Sequence, residues 1–359
     1  MTQEEVRSFL KKQKVDGVLA ASPANIRYLS GFTGTDSYLY LSAERSLILT
    51  DSRYTLLAEE EAGEGYGVRT ISAGYGYGDL LKELMQEDGV GRLGFEEGAM
   101  LYGTVMSLMK KSGLPAEQWK SLGMELSKLR AVKTEEEIRL LAEAEHIGDL
   151  AFSHILDFLR PGVTELQVAA ELEYFMKNHG AEGTSFDTIV ASGYHSAIPH
   201  AVPTEKKLEP GDFVTMDFGC RYRGYCSDMT RTVIVGKASP RQKELYELVL
   251  RAQQTALAGL KPGMTGIEGD RLARDVIAEA GYGACFGHAL GHSVGLEIHE
   301  RPTLSVRDTT VLLPGMIETV EPGVYVPGFG GVRIEDMVVF TETGVRNLTS
   351  SPKELIEIG

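Results

Sequence analysis

The pattern of apolar and polar positions changes character once, near residue 125. Before that point, short apolar runs at 15–21, 47–50 and 93–95 predict strands, and the segments 53–61 and 79–86 predict helices. This mixture predicts an α/β domain. A glycine and tyrosine cluster, Ala73-Gly74-Tyr75-Gly76-Tyr77-Gly78, predicts a loop. It has no phosphate-loop lysine and no strand leading into a GxGxxG turn, so nucleotide binding gains little from it. After residue 125, Thr134 followed three residues later by Glu137 forms a capping box. It opens a long amphipathic helix with Ile138, Leu141, Ile147 and Ala151 along one face. The domain boundary is placed between residues 122 and 128, dividing the chain into domains 1–125 and 126–359.

The second domain repeats itself. Leu159-Arg160-Pro161-Gly162-Val163-Thr164 recurs as Leu260-Lys261-Pro262-Gly263-Met264-Thr265, and each threonine opens another capping box, to Gln167 and to Glu268. Each copy continues as a helix that stops near a glycine, Gly180 and Gly281. Leu208-Glu209-Pro210-Gly211 is echoed by Leu312-Leu313-Pro314-Gly315, and six residues after each of these glycines stands an acid, Asp217 or Glu321. Two echoes in the same order predict a duplicated helix-then-hairpin unit with pseudo-two-fold symmetry, and a site between the halves drawing ligands from both.

Composition narrows the partners. The formal charge, 36 − 51 = −15, argues against nucleic acid, which needs a basic face. No apolar run approaches the roughly 18 residues of a membrane span, and the opening MTQEEVRSFLKKQK lacks the apolar core of a secretory signal. Three cysteines, Cys220, Cys226 and Cys285, make no disulfide framework. A cytoplasmic protein is expected.

The candidate chemistry lies in two hairpins. If residues 213–220 turn between Tyr222 and Arg223 and return through 225–235, Asp217 stands across from Asp228. A second hairpin centred on Gly328 puts Glu321 across from Glu335. Like charges opposed on paired strands are destabilising, and the flanking Val214, Met216, Phe218, Val320, Ile334 and Val338 are apolar. A one-residue slip would turn any single pair to solvent; two pairs at equivalent positions of a repeat argue for carboxylates that face inward and need a metal. Five of the eight histidines lie between 195 and 299, three of them in the glycine-rich stretch from His288 through His292 to His299. One histidine as ligand and the others as acid–base groups is the economical arrangement. Four carboxylates and one histidine suffice for two ions sharing bridging ligands and a hydroxide. That set would polarise a carbonyl while a neighbouring carboxylate accepts a proton and histidines stabilise the oxyanion and protonate the leaving nitrogen.

With these residues in view, the chain resembles the Xaa-Pro peptidases, prolidase and aminopeptidase P, of the pita-bread metallopeptidase family. The resemblance is carried by Met216-Asp217-Phe218-Gly219, Ser227-Asp228-Met229-Thr230-Arg231-Thr232, the His288 to His299 stretch, Thr319-Val320-Glu321-Pro322-Gly323-Val324-Tyr325 and Val332-Arg333-Ile334-Glu335-Asp336. Leu129-Arg130-Ala131-Val132-Lys133 with Glu137-Ile138, and Tyr28-Leu29-Ser30-Gly31-Phe32-Thr33-Gly34, extend it over nearly the whole chain. It implies a creatinase/prolidase-like α/β N-terminal domain at 1–125 and an α+β pita-bread catalytic domain with its internal repeat at 126–359. It implies that Asp217 binds one metal, that His292 and Glu321 bind the other, and that Asp228 and Glu335 bridge them. Glu321 is also the implied proton acceptor. His200 is expected to steady the substrate carbonyl, His288 and His299 to line the proline side and the leaving group, and Arg333 to orient these groups. The implied cofactors are two divalent ions, manganese before cobalt or zinc. The implied partners are short proline-containing peptides and a second copy in a homodimer, whose N-terminal domain contributes to the pocket through residues 33–38. Dipeptidase and longer-peptide aminopeptidase remain open.

An X–Pro amide has no N–H, so peptidases that grip that group fail on it, and metal activation with a pocket shaped for the ring answers the problem. A methionine aminopeptidase shares the ligands but is usually little more than the catalytic domain. A non-catalytic peptide-binding relative, or a metal-free creatinase-like hydrolase, should have lost ligands that are present here. A cysteine hydrolase lacks a local nucleophile signature. One departure from the family is Glu318, at a place usually apolar or hydroxyl-bearing; strand alternation from Glu321 points it away from the metals, with an interface as its expected place.

Overall fold

The computed structural model describes residues 1–359 and divides into two units, Met1–Arg130 and Ala131–Gly359. In the first, β1 (Gly17–Ala20), β2 (Tyr38–Ser42), β3 (Ser46–Thr50), β4 (Tyr66–Thr70), β5 (Leu93–Phe95) and β6 (Trp119–Ser121) form one sheet in the order β4-β3-β2-β1-β5-β6. Helices α1 (Gln3–Gln13), α2 (Pro23–Ser30), α3 (Thr55–Glu61), α4 (Tyr77–Glu87) and α5 (Tyr102–Ser112) complete it. Val18 and Leu41 belong to one apolar cluster and Leu19 and Tyr40 to another, the alternation of a sheet buried on both faces. The loop expected at 73–78 ends at Gly76, because Asp79 accepts from Gly76 N at 2.9 Å and starts α4 at Tyr77.

The second unit is built twice. Its first half runs α6 (Glu135–Phe158), α7 (Glu165–Asn178), β7 (Gly183–Thr184), β8 (Ile189–Ser192), β9 (Phe213–Phe218), β10 (Cys220–Tyr222), β11 (Tyr225–Cys226) and β12 (Met229–Val235). Its second runs α8 (Pro240–Gly259), α9 (Gly266–Glu279), β13 (Gly291–Ser293), β14 (Glu300–Leu304), β15 (Ile317–Val320), β16 (Gly323–Val326), β17 (Gly330–Arg333), β18 (Asp336–Phe340) and β19 (Val345–Asn347), ending in β20 (Glu357–Ile358). The main sheets are β20-β12-β9-β8 and β14-β13-β15-β18-β19. Ala144, Phe152, Leu172 and Met216 join α6 and α7 to the first sheet, and Val249, Ala273, Leu304 and Val338 join α8 and α9 to the second.

The duplication extends to single hydrogen bonds. Thr164 and Thr265 cap α7 and α9 by accepting from Gln167 N and Glu268 N. Gly162 N donates to Leu208 O at 2.9 Å, and Gly263 N donates to Leu312 O at 2.8 Å. Both glycines are left-handed, with φ of 92° and 89°, which a side chain would resist. The architecture is the α/β domain and the duplicated helix-then-hairpin domain that the pattern predicts, in the pita-bread form that the resemblance implies.

The hairpin registers divide. In the second hairpin Gly323 pairs with Arg333 and Val320 with Asp336, the register of a turn centred on Gly328. In the first, Asp217 pairs with Thr230, not Asp228. The turn lies one residue later than expected, on Arg223 and Gly224, whose φ values of 47° and 81° suit the primed turns of two-residue hairpins. Moving the turn centre by one residue moves the cross-strand partner by two, so Asp228 keeps its expected face. No helix is long and apolar enough to cross a membrane.

Candidate metal centre

Strand ends of both halves deliver the acids. Asp217 is the penultimate residue of β9, and Asp228 immediately precedes β12. Glu321 follows β15 and Glu335 precedes β18, both where the second hairpin's ladder is interrupted. The interruption has a visible cause: Glu321 N donates to Leu290 O at 2.8 Å and Glu335 N to Thr230 O at 3.1 Å, so neither serves the hairpin. The second bond joins the two halves at the site. Asp217, Asp228, His292, Glu321 and Glu335 line a cavity of about 550 Å³ together with His200, His288, His299 and Arg333. Its other walls include Phe186, Ile189, Pro199, Val202 and Ile298. His195 is drawn away, its Nδ1 3.0 Å from buried Glu165.

Taken by themselves, these acids resist ionisation. Burial holds Asp228 well above the ordinary carboxylate range, reinforced by Glu335, Asp217 and Glu321. Burial does the same to Glu335, reinforced by Glu321 and Asp217, and pushes Glu321 up to about 8 against the pull of Arg333. Burial, then the neighbouring His299, lowers His292 to about 4, so its ring is neutral. His292 Nδ1 lies 3.1 Å from Ser293 O, an acceptor only, so Nδ1 carries the proton and Nε2 a lone pair. That lone pair faces Asp228 Oδ2 at 3.4 Å and Glu321 Oε1 at 3.6 Å. Ligand atoms of Asp228, His292 and Glu335 lie within 4.8 Å of one another, and Asp217 Oδ1 is buried without a hydrogen-bond partner. Converging lone pairs repel unless a cation stands among them, and mixed carboxylate and imidazole donors suit manganese, cobalt or zinc. The residues fit a divalent metal.

Around this set runs a polar frame. Arg333 Nη2 donates to Asp217 Oδ2 at 2.6 Å, Nη1 to Tyr325 OH at 2.6 Å, and Nε to Thr230 Oγ1 at 3.0 Å. Thr230 Oγ1 donates to Glu335 Oε2 at 2.6 Å and Thr319 Oγ1 to Glu321 Oε1 at 3.1 Å. His288 Nδ1 donates to Ala289 O at 2.8 Å, so its Nε2 accepts from Tyr325 OH at 3.0 Å. Tyr325, Thr230 and Thr319 had no expected role. The threonines were findable, each two residues from an acid and on its face of the strand. Glu318 does turn away from the metal centre, but it does not lie at a surface. It is fully buried, neither carboxylate oxygen has a hydrogen-bond partner, and burial raises its pKa well above the usual range. Ser293 lies across from it on β13, and Lys133, bonded to Ser293 Oγ at 3.0 Å, is the nearby positive charge.

Residues 139–342 match the model of metallopeptidase family M24. The chain belongs to metallopeptidase family M24. Residues 3–132 match the creatinase/prolidase N-terminal domain. The chain is 40% identical to a Xaa-Pro dipeptidase of Pyrococcus horikoshii over 98% of both chains. Among solved structures, a Xaa-Pro dipeptidase from Bacillus anthracis superposes with a TM-score of 0.95 at 46% identity, covering 99% of this chain and 98% of that one. An X-Pro aminopeptidase from Thermotoga maritima gives 0.89 at 38% identity, covering 98% and 100%. This M24 member is accordingly a metal-dependent hydrolase.

Proposed function

We propose that this M24 enzyme hydrolyses the Xaa-Pro bond at the N-terminus of dipeptides or short peptides, using two divalent ions. Asp217, Asp228, His292, Glu321 and Glu335 would hold the ions, with Asp228 and Glu335 shared between them. The observation that carries the reading is the convergence of the His292 Nε2 lone pair with buried carboxylates, Asp217 Oδ1 among them left unpartnered. The named activities of its relatives supply the bond. Divalent ions bound there supply a Lewis acid for the scissile carbonyl and lower the pKa of water.

The chain's own residues do the rest. Glu321 takes the proton from the attacking water. His200, exposed on the cavity wall, donates to the oxygen of the tetrahedral intermediate. His299, its ring 4.5 Å from that of His292, serves the leaving proline nitrogen, which needs a proton before it departs. His288 and Arg333, joined through Tyr325, fix the proline side of the cavity. The apolar walls from Ile189, Val202 and Ile298 suit a ring that brings no N–H.

The reading extends to manganese as the metal, a homodimer as the working form, a cytoplasmic location, and a domain division at 1–125 and 126–359. Free Cys220, Cys226 and Cys285 suit a reducing compartment. Burial pushes the thiols of Cys220 and Cys226 up to about 12, which makes them poor nucleophiles. The test is hydrolysis of Ala-Pro, Ala-Pro-Ala and a methionine-start peptide by protein stripped with EDTA and reloaded with Mn²⁺. Cleavage of a proline substrate is expected. Cleavage of the methionine-start peptide alone would overturn the specificity, and activity that resists chelation would overturn the metal.

A further inference from the structure

Behind the metal centre, the C-terminal segment 349–353 is gripped on both sides of its backbone. Ser350 N and Ser351 N donate to the Asp149 carboxylate at 2.9 and 2.7 Å, and Ser351 Oγ adds a bond of 2.6 Å. On the acceptor side, Ser351 O takes a bond from Arg231 Nη2 at 2.8 Å and Pro352 O one from Arg231 Nε at 3.0 Å. The grip reaches the candidate ligands. Arg231 Nη1 donates to Glu335 O at 2.5 Å, and its Nη2 pairs with Asp336 Oδ1 at 2.8 Å. One turn before Asp149 on α6, Glu145 accepts from Thr349 Oγ1 at 2.6 Å and from Asp228 N at 3.3 Å. Lys353 Nζ closes the ring on Asp336 Oδ2 at 2.6 Å.

We propose that residues 349–353 are a clasp that sets the positions of Asp228 and Glu335, with Asp149 and Arg231 as its positioning residues; this rests on those two carboxylates being metal ligands. Apolar packing would hold such a segment without desolvating charge. Here Arg231, Asp149, Glu145 and Asp336 are all buried; Asp149 holds the tail, and the bonds of Glu145 and Arg231 run on from the tail to the main chain of one candidate bridging residue from each half. Fixed placement is what such a network adds over apolar packing. Coupling of this kind is reciprocal. Ions bound at Asp228 and Glu335 tighten the tail, and loosening the tail weakens the ions.

The test pairs two measurements on the full chain: Mn²⁺ affinity by calorimetry, and hydrogen exchange across the tail with and without Mn²⁺. Wild type should show slower exchange at Ser350 and Ser351 when loaded, with little change in the remote turn where Thr341 N bonds Gly344 O. Asp149→Asn loosens Ser350 and Ser351 without touching a candidate ligand, so it should weaken Mn²⁺ binding by roughly tenfold, the low end for loss of a ligand's own outer partner, and should reduce the metal-dependent slowing. If Asp149→Asn fails to fold, Thr349→Val, which removes one hydroxyl, carries the comparison with a smaller shift in the same direction. Asp228→Asn separates the ligand assignment from the clasp. If it loses Mn²⁺ while Asp149→Asn or Thr349→Val binds as wild type does, the clasp is overturned and the ligand assignment stands. If Asp228→Asn also binds as wild type, the assignment falls and the clasp with it. Tail exchange indifferent to Mn²⁺ likewise overturns the clasp.

Discussion

The two hairpins of the duplicated unit do the same job by different means. In the first, the ladder continues through Asp217, which pairs with Thr230, and Asp228 stands diagonally from it just before β12. In the second, Glu321 and Glu335 would be directly opposed, and there the ladder is interrupted, each backbone N–H going elsewhere. One hairpin separates its acids by register and the other by a break in pairing. The counterparts also differ in support. Asp217 has a 2.6 Å bond from Arg333, whereas Glu321 has a bond from Thr319. Three residues before each lies a buried position, Val214 in the first half and Glu318 in the second. Duplication conserves where a carboxylate must point and leaves the means to each copy.

The comparison is broken most severely at the residues that would be shared. Asp228→Ala and Glu335→Ala should each remove a bridge, lowering metal content per chain and costing several kcal/mol of transition-state stabilisation, on the order of a thousandfold in rate. Elemental analysis alongside kinetics checks both, and two metals still bound in Glu335→Ala would contradict the bridge. His200→Ala should retain its metals and lower kcat by roughly 100-fold, because its bond forms with the transition state. Tyr325→Phe leaves Arg333 Nη1 and His288 Nε2 short of a partner; loss of a buried hydrogen bond of that kind should cost roughly tenfold in kcat/KM.

The smallest effect concerns Glu318, where the second half departs from the apolar position of the first. Burial raises its folded pKa above the unfolded value. Above the unfolded pKa, and until the folded pKa is reached, the folded state therefore holds a proton that the unfolded state has lost. Its stabilising contribution falls as pH rises through that window, by at most about 1.4 kcal/mol per pH unit. Glu318→Gln should remove this slope in denaturant titrations compared across pH, and an unchanged slope would contradict the assignment of a neutral acid.

Much of this was legible because the repeat leaves paired marks. The capping threonines and the glycine-to-acid spacing located Asp217 and Glu321 without any tertiary information. The first register was missed by two residues because Arg223 takes a left-handed conformation that arginine seldom adopts, and only the even size of the slip kept Asp228 on its face. Alternation gave the direction of Glu318 but not its burial, which depends on what covers the far side of β15. Tyr325 links His288 to Arg333, partners brought together only by the folded second half. The contact between Asp149 and Ser351 spans 202 positions and leaves no local pattern.

What has to hold is that the converging carboxylates and His292 bind two ions that drive hydrolysis before proline. The direct test is a titration of Mn²⁺ into EDTA-stripped protein, following bound metal and Ala-Pro hydrolysis together, with Ala-Pro-Ala in parallel. Two ions per chain, with activity restored as the sites fill, is the predicted result. Full activity in the stripped protein, or two ions bound with neither proline substrate cleaved, would contradict it.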